Sequence, residues 1–372
     1  MYQFMLGLSV YPENASIKDI KDYLDLGKKT GFRKLFLSFL QIDPKRAKES
    51  LETYRLIIDE AKKQGYTIVI DFVPQLFDLF GQSYQDLGFL KEMGVDVLRF
   101  DAGLTGKEEA TMSKNPYGII IELNMSEVSH QLDRICDFNP NRRQLSGSHN
   151  FFPQKYTGLS KEQFKESSLK FRAKNLNTTA FVTSQVAELG PWPLQEGLCT
   201  VEEHRSLPIE LQTRDLLQSG LVDDIIVGNM FASEAELKAV SKAAKEAYKF
   251  IEIELAEEIS DFEKEILFNY RHHYRSDSSD YMIRSTRIRS KVAKLALPPV
   301  PNSQPRINVG DILILNEDYG QYKGEVQIAL KERANDPRIN IVGRIPKDQW
   351  LLVENIKRNE EFEFRKVDDQ NE

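Results

Sequence analysis

Three acidic side chains interrupt or follow apolar segments in the first half of the chain. Asp71 lies inside TIVIDFV, Asp101 follows VLRF, and Glu122 lies near the end of GIIIEL. Ionising a carboxyl group among apolar side chains costs free energy, and neighbouring carboxylates drive one another's pKa values apart. One such group can then donate a proton while another acts as a base or nucleophile, as glycosidic bond cleavage requires. We therefore predict that Asp71, Asp101 and Glu122 are catalytic.

These carboxylates also have two other interpretations. Arg99 could pair with Asp101 or with its neighbours, which would make the acidic groups structural. Alternatively, the three could bind a divalent metal ion, with His149 as a further ligand. Because no second histidine lies at ligand spacing near the end of a predicted strand, we expect no metal site and no cofactor.

Other polar side chains follow the remaining apolar segments, where a loop can present them to a substrate. Residues 145–160 (LSGSHNFFPQKYTGLS) place a His-Asn pair between a short strand and a loop broken by proline and glycine. The predicted substrate-binding residues are Ser9, Glu13, Asn124, His149, Asn150, Lys155, Arg205, Arg284 and Arg287. The arginines suit an anionic group because a guanidinium binds phosphate through two parallel hydrogen bonds. For Arg284 and Arg287, a solvated charged edge strand is the competing interpretation.

Eight strand-then-helix units fill residues 1–248 and must position these groups. The predicted strands are residues 4–10, 34–40, 67–73, 97–100, 118–123, 145–148, 178–183 and 224–227. Near-continuous apolar strands alternating with helices predict an α/β fold, a TIM (β/α)8 barrel whose strand ends meet at one mouth. A doubly wound open sheet competes with the barrel, but the sequence has neither a GxGxxG motif nor a P-loop.

The composition changes over residues 249–372. Segments such as FIEIEL alternate apolar and polar residues, and prolines and glycines separate short runs. This pattern predicts a second, small and mostly antiparallel β-barrel domain. Its edge strands could pair with another subunit, which leaves a homo-oligomer open.

Composition also limits the partners and the compartment. The net charge of −7 argues against nucleic acid, and no apolar run reaches the roughly 20 residues that span a membrane. The first residues lack the basic region and cleavage site of a signal peptide. With only two cysteines and no CxxC motif, we expect a cytoplasmic protein that is not bound to a membrane.

Four segments together resemble one bacterial family. They are LGLSVYPE (6–13), IELNMS (121–126), HNFFPQKYTGLS (149–160) and EGLCTVEEHR (196–205), and the family is that of the 6-phospho-N-acetylmuramidases. The resemblance implies a TIM barrel joined to a cyclophilin-like β-barrel domain. It also implies a cytoplasmic glycosidase of peptidoglycan recycling, which cleaves 6-phospho-N-acetylmuramyl-β-1,4-N-acetylglucosamine to N-acetylmuramic acid 6-phosphate and N-acetylglucosamine. This phosphorylated amino-sugar disaccharide requires a subsite with Arg or Lys.

Two other functional classes stay open at this point. A phosphosugar isomerase, epimerase or lyase would bind phosphate in the loops after strands seven and eight, where Gly228 and Asn229 lie. A non-catalytic sugar-phosphate-binding protein would use the same polar groups without turnover. For a glycosidase, retaining, inverting and substrate-assisted mechanisms all fit the sequence.

Overall fold

Eight parallel strands close into a barrel in the first part of the chain. In the computed structural model, which describes residues 4–42, 44–246, 248–300 and 304–367, the strands pair in sequence order and the eighth pairs with the first. They are β1 Leu6–Val10, β2 Lys34–Ser38, β3 Thr67–Phe72, β4 Val97–Phe100, β5 Ile120–Asn124, β6 Leu145–Ser148, β7 Asn177–Val182 and β8 Asp224–Val227. The predicted α/β fold with a TIM barrel is confirmed.

Helices follow the strands around the barrel. They are α1 Ile17–Thr30, α2 Ala47–Lys63, α3 Gln75–Leu79, α4 Gly88–Glu92, α5 Lys107–Met112, α6 Gln131–Asp137, α7 Lys161–Ala173, α8 Ile209–Gln218 and α9 Glu234–Lys245. Their apolar faces pack on the outward side chains of the strands, which forms the larger core of this unit. The chain divides into two compact units between Lys245 and Glu246.

The inward side chains of the barrel form an apolar plug with a polar layer beyond it. Phe36, Val69, Val97, Phe181 and Ile226 pack together as the plug. Two residues further along their strands, the alternation of side chains brings Ser38, Asp71 and Arg99 to the same inner face. Parallel pairing aligns these positions in neighbouring strands, since Ser38 pairs with Asp71, Asp71 with Arg99, and Arg99 with Glu122. The fold therefore collects charged side chains from consecutive strands.

The second unit is built on a seven-stranded sheet. Its strands are β9 Lys249–Leu255, β10 His272–His273, β11 Met282–Ser285, β13 Asp311–Leu315, β14 Val326–Ala329, β16 Ile339–Arg344 and β17 Glu361–Lys366. Their order in the sheet is β10-β17-β9-β16-β13-β14-β11, and every neighbouring pair is antiparallel except β9 with β17. A separate pair is β12 Arg306–Ile307 with β15 Arg333–Ala334, and the helices are α10 Asp261–Phe268, α11 Arg289–Val292 and α12 Trp350–Val353. The predicted mostly antiparallel β domain is confirmed, whereas a cyclophilin-like form and pairing with another subunit stay predictions.

Within the described parts of the chain, every helix is too short or too polar to cross a membrane.

Candidate active site

Arg99 is the centre of the polar layer at the barrel mouth. Its Nη1 donates hydrogen bonds to Asp71 Oδ1 and, at 3.4 Å, to Asp101 Oδ1. Its Nη2 donates to Asn150 Oδ1. One guanidinium therefore connects a side chain of β3 with side chains from the segments after β4 and β6. Because the same nitrogen contacts both carboxylates, their nearest oxygens lie within two hydrogen-bond lengths, about 6 Å, of each other.

A cleft opens above this arginine. Its lining residues are Ser38, Leu40, Asp71, Arg99, Asp101, Asn150, Phe151, Pro153, Pro191 and Trp192. Asp71 is almost completely buried at its floor, whereas 42% of the Asp101 side chain is exposed. The cleft thus presents one buried and one solvent-facing carboxyl group side by side.

Burial changes the acidity of the carboxyl group at the floor. It raises the pKa of Asp71 to about 6, with Arg99 opposing the rise and Asp101 and Glu122 adding to it. Asp71 Oδ1 faces Arg99, and Oδ2 accepts a hydrogen bond of 3.5 Å from Ser38 Oγ. A carboxyl group with this pKa can carry a proton near neutral pH and release it to a substrate.

Glu122 lies deeper in the barrel than the other two predicted catalytic groups. It is buried, and it is not among the described residues that line the cleft. Burial raises its pKa, against the opposing charges of Lys34 and Arg99, and Ser146 Oγ donates to its Oε2 at 3.2 Å. Lys34 itself pairs with Asp224. The structure therefore brings Asp71 and Asp101 to the cleft and leaves Glu122 beneath it.

His149 points away from the cleft. Its ring is fully buried, hydrogen-bonded to Ser168 of α7 at 2.9 Å and 4.9 Å from the Phe164 ring centroid. Ser126 Oγ, 3.5 Å from His149 Nδ1, accepts a 2.7 Å hydrogen bond from the Asn150 backbone nitrogen. His149 thus lies behind the strand, where it supports the loop that carries Asn150.

The burial of His149 predicts a dependence of stability on pH. Burial, aided by Arg99, lowers the pKa of His149 to about 3 from its ordinary 6.5. In the unfolded chain His149 binds a proton below about pH 6.5, whereas in the folded protein it stays neutral until about pH 3. The stability that the folded protein gains from keeping His149 neutral is therefore complete above pH 6.5 and declines as the pH falls toward 3. We expect His149→Gln to flatten the slope of unfolding free energy against pH between 6.5 and 3, measured by urea denaturation.

The control for this measurement is His130→Gln, because the His130 side chain is 90% exposed and meets solvent in both states. An unchanged slope in His149→Gln would contradict the assignment of the slope to His149.

Neither Ser9 nor Asn124 is well placed to bind a substrate. Ser9 is completely buried, and its Oγ has no hydrogen-bond partner in the described part of the chain. Asn124 uses both ends of its amide locally, since Nδ2 donates to Asp101 O at 2.9 Å and Oδ1 accepts from Ser126 N at 2.9 Å. Asn124 therefore holds the backbone of the residue that bears one candidate catalytic carboxylate.

Arg205 clamps two loops together. Its Nε and Nη2 each donate a 2.7 Å hydrogen bond to Glu202, and its Nη1 donates to the carbonyl oxygens of Phe152 and Glu196. Hydrogen bonding with Arg205 lowers the pKa of Glu202 to about 2, and this carboxylate also accepts from the backbone nitrogens of Tyr156 and Gly158. With its donors engaged in this way, Arg205 is a structural group in this state of the protein.

The remaining predicted binding residues are more dispersed. Lys155 is exposed on the loop after β6, and its backbone nitrogen donates to Glu196 Oε2 at 2.9 Å. Glu13 accepts a 2.8 Å hydrogen bond from Tyr54. In the second unit, Arg284 makes a bidentate pair with Glu325 at 2.7 and 2.8 Å, and Arg287, 62% exposed, lies 3.6 Å from Glu361.

The usual phosphate position after β7 and β8 is occupied by the chain itself. A Cβ atom on Gly228 would lie 2.7 Å from the Leu198 carbonyl oxygen, so this glycine permits a close approach of the loop after β7. The Asn229 Oδ1 accepts hydrogen bonds from Thr183 Oγ1 and from Ser184 N. These contacts weaken the isomerase, epimerase and lyase hypothesis, which relied on Gly228 and Asn229 for phosphate.

Two aromatic side chains in the cleft were not predicted from the sequence. Phe151 packs on Phe36 and Phe181 of the barrel plug and extends it to the cleft. Trp192, in the segment Gly-Pro-Trp-Pro after β7, is 48% exposed. A tryptophan between prolines in a loop at the barrel mouth was the available signal, because such a loop is stiff and the side chain is amphipathic.

The described residues contain no group of three or more His, Cys, Asp or Glu side chains that could hold a metal ion.

Two family models and two solved structures match the chain over nearly its whole length. The family model for "6-phospho-N-acetylmuramidase, N-terminal" matches residues 6–242, and that for "6-phospho-N-acetylmuramidase, C-terminal" matches residues 250–365. A crystal structure of an uncharacterized B. cereus protein is 35% identical, with a TM-score of 0.86 and coverage of 98% of this chain and 100% of that one. A conserved Enterococcus faecalis protein of unknown function is 25% identical, with a TM-score of 0.67 and coverage of 98% and 97%. A search of curated proteins gave no match.

The two family models together span nearly the whole chain. The chain therefore belongs to the 6-phospho-N-acetylmuramidase family, and it is a glycosidase.

Proposed function

We propose that the protein hydrolyses 6-phospho-N-acetylmuramyl-β-1,4-N-acetylglucosamine to N-acetylmuramic acid 6-phosphate and N-acetylglucosamine. The observation that carries the proposal is the Asp71–Asp101 pair, held by one Arg99 nitrogen at the floor of an open cleft. A separation of about 6 Å or less between the nearest oxygens leaves room for one anomeric carbon between them.

In this proposal Asp71 is the general acid. Its raised pKa, about 6, lets it hold a proton near neutral pH and donate it to the substrate. Oδ2, which faces Ser38 rather than Arg99, carries that proton to the departing glycosidic oxygen. Arg99 is the positioning residue, since it fixes the orientation of Asp71 and, through Asn150, of the loop after β6.

Asp101 takes the second role, next to the anomeric carbon. Its partly exposed carboxylate can attack directly, activate a water molecule or orient the substrate's own acetamido group. The anomer released first separates one route from the other two: an α product indicates inversion by an activated water molecule, whereas a β product indicates retention, which direct attack and acetamido-assisted attack share.

The phosphate and lactyl groups need cations outside the cleft floor. Among the predicted cations, Arg205 and Arg284 are each bound bidentately to a glutamate, whereas Lys155 and Arg287 have exposed side chains. We therefore favour Lys155, on the loop after β6, for the phosphate.

We further propose that the protein acts in the cytoplasm, in peptidoglycan recycling. Both cysteines, Cys136 and Cys199, are free thiols, which supports a reducing compartment. The proposed products are a sugar phosphate and a free amino sugar, which suit intracellular reuse.

The proposed function is tested by incubating the protein with the disaccharide in two forms, with and without the 6-phosphate. We expect stoichiometric release of N-acetylglucosamine from the phosphorylated form, and kcat/KM at least tenfold lower without the phosphate, because its charge-assisted hydrogen bonds are lost. Chromatographic quantification of both products is the measurement. Intact disaccharide after long incubation, or isomerised disaccharide without bond cleavage, would reject the hydrolase.

A further inference from the structure

The cleft has an apolar part that the proposed chemistry does not use. Five of its ten lining residues are apolar, namely Leu40, Phe151, Pro153, Pro191 and Trp192. Bond cleavage requires the polar half alone. The apolar half therefore serves another purpose, for which substrate binding is the natural candidate.

Trp192 is the exposed member of this set. With 48% of its surface accessible, it leaves part of an aromatic side chain open to solvent at the cleft, where a ligand can cover it. Its position is nevertheless fixed, because Asn14 Nδ2 donates to Gly190 O at 3.0 Å and Gln41 donates to Pro191 O. The backbone nitrogen of Met230 also donates to Leu189 O at 2.9 Å. An indole on a backbone held by three loops is prepared for a rigid ligand.

The charges decide which half of the proposed substrate fits there. The muramyl half carries a phosphate and a lactyl carboxylate. Placing either anion against an apolar face would remove water from it, which is unfavourable in free energy. Among the described lining residues Arg99 is the cation, and its terminal nitrogens already contact Asp71, Asp101 and Asn150. The N-acetylglucosamine half is neutral, and the C–H face of its ring matches an indole.

We propose that Trp192 forms the subsite that binds the N-acetylglucosamine half of the substrate, with the indole packed on the pyranose ring. This inference rests on the proposed function for the identity of the sugar. It makes Trp192 a specificity-determining residue that selects a neutral pyranose next to the scissile bond, with the phosphorylated half beyond it.

A binding measurement tests this subsite without turnover. The chain has two tryptophans, Trp192 and Trp350 of the second unit, so intrinsic fluorescence reports on few positions. Titration of the wild-type protein with N-acetylglucosamine alone should give a saturable fluorescence change, and Trp192→Phe should abolish it. The proposal would be overturned by a fluorescence change that persists in Trp192→Phe. It would also be overturned if the wild-type fluorescence did not change at any concentration of N-acetylglucosamine.

Kinetics supply a second, independent readout. We expect Trp192→Ala to raise KM for the phosphorylated disaccharide about tenfold and Trp192→Phe to recover most of the loss, because an aromatic face is restored. Equal KM values in wild type and Trp192→Ala would overturn the subsite. A wild-type protein that fails to cleave the disaccharide rejects the proposed function, whereas the fluorescence titration with N-acetylglucosamine still decides the sugar subsite.

Discussion

Asp101→Asn is expected to lower kcat on the phosphorylated disaccharide by about 10²-fold or more, the usual effect of removing an essential acid or base. The reason is that Asp101 is the solvent-facing member of the carboxyl pair at the cleft. Its one described side-chain ion pair is a 3.4 Å contact with Arg99, so the fold should tolerate asparagine. Initial rates at saturating substrate, with the thermal unfolding midpoint as a folding check, measure the effect.

Glu122→Gln is the matched control for this experiment. Glu122 was also predicted to be catalytic, but it is buried and does not line the cleft, and glutamine keeps its size and shape. We expect kcat to stay within about tenfold of the wild-type value. Equal losses of kcat in Asp101→Asn and Glu122→Gln would contradict the assignment of the catalytic role to Asp101 from its position in the cleft.

Arg99→Met is expected to destabilise the protein by about 3–5 kcal/mol, because it leaves the buried carboxylate of Asp71 without its opposite charge. The Arg99 and Asp71 side chains are 3% and 5% exposed, so solvent cannot replace the lost partner. Activity should fall with stability, since Asp71, Asp101 and Asn150 lose their common support. The free energy of unfolding in urea and kcat are the two measurements.

A double variant separates these two effects. Arg99→Met combined with Asp71→Leu removes both buried charges, and well-packed apolar replacements of a buried pair often restore stability. We expect the double variant to recover most of the lost unfolding free energy and none of the activity. An Arg99→Met protein with wild-type stability would contradict the importance of this ion pair for the fold.

Much of the barrel was predictable because its signals are local. Apolar runs of four to seven residues located seven of the eight strands, and near-continuous hydrophobicity indicated that they are parallel and covered. The sixth, Leu145–Ser148 (LSGS), is not an apolar run and was located by the polar pair and the Pro/Gly-broken loop that follow it. Helix starts were harder where polar side chains bind the backbone. The sequence of residues 84–93 predicts one helix, but the helix begins at Gly88, because Ser83 and Asp86 accept hydrogen bonds from nearby backbone nitrogens. The sequence also predicts a helix from Ser126 to about residue 138, but this helix begins at Gln131, since Ser126 Oγ accepts a hydrogen bond from Asn150 N instead.

The candidate site was predictable in part. Position at a strand end located Asp71, Asp101 and Asn150, which Arg99 joins. Side-chain alternation along β6 explains why Asn150 faces the cleft and His149 faces α7. Gly147, two residues before His149, faces the same way, since a Cβ atom there would meet Phe171 of α7.

The partners of the charged groups were not predictable, because they come from distant parts of the chain. Nothing local in the sequence indicates that Arg284 pairs with Glu325, or that Arg205 donates hydrogen bonds to the carbonyl oxygens of Phe152 and Glu196. The depth of Glu122 depends on the tilt and stagger of the closed barrel, which a strand pattern does not contain.

The pH dependence of kcat/KM tests the assignment of Asp71 as the proton donor most directly. The donor must be protonated, and the pKa of Asp71 is about 6, so kcat/KM should fall about tenfold per unit as the pH rises above 6. The residual activity of Asp71→Asn should lack this decline. A wild-type profile that is flat or rising between pH 6 and 8, or a decline that Asp71→Asn retains, would contradict it.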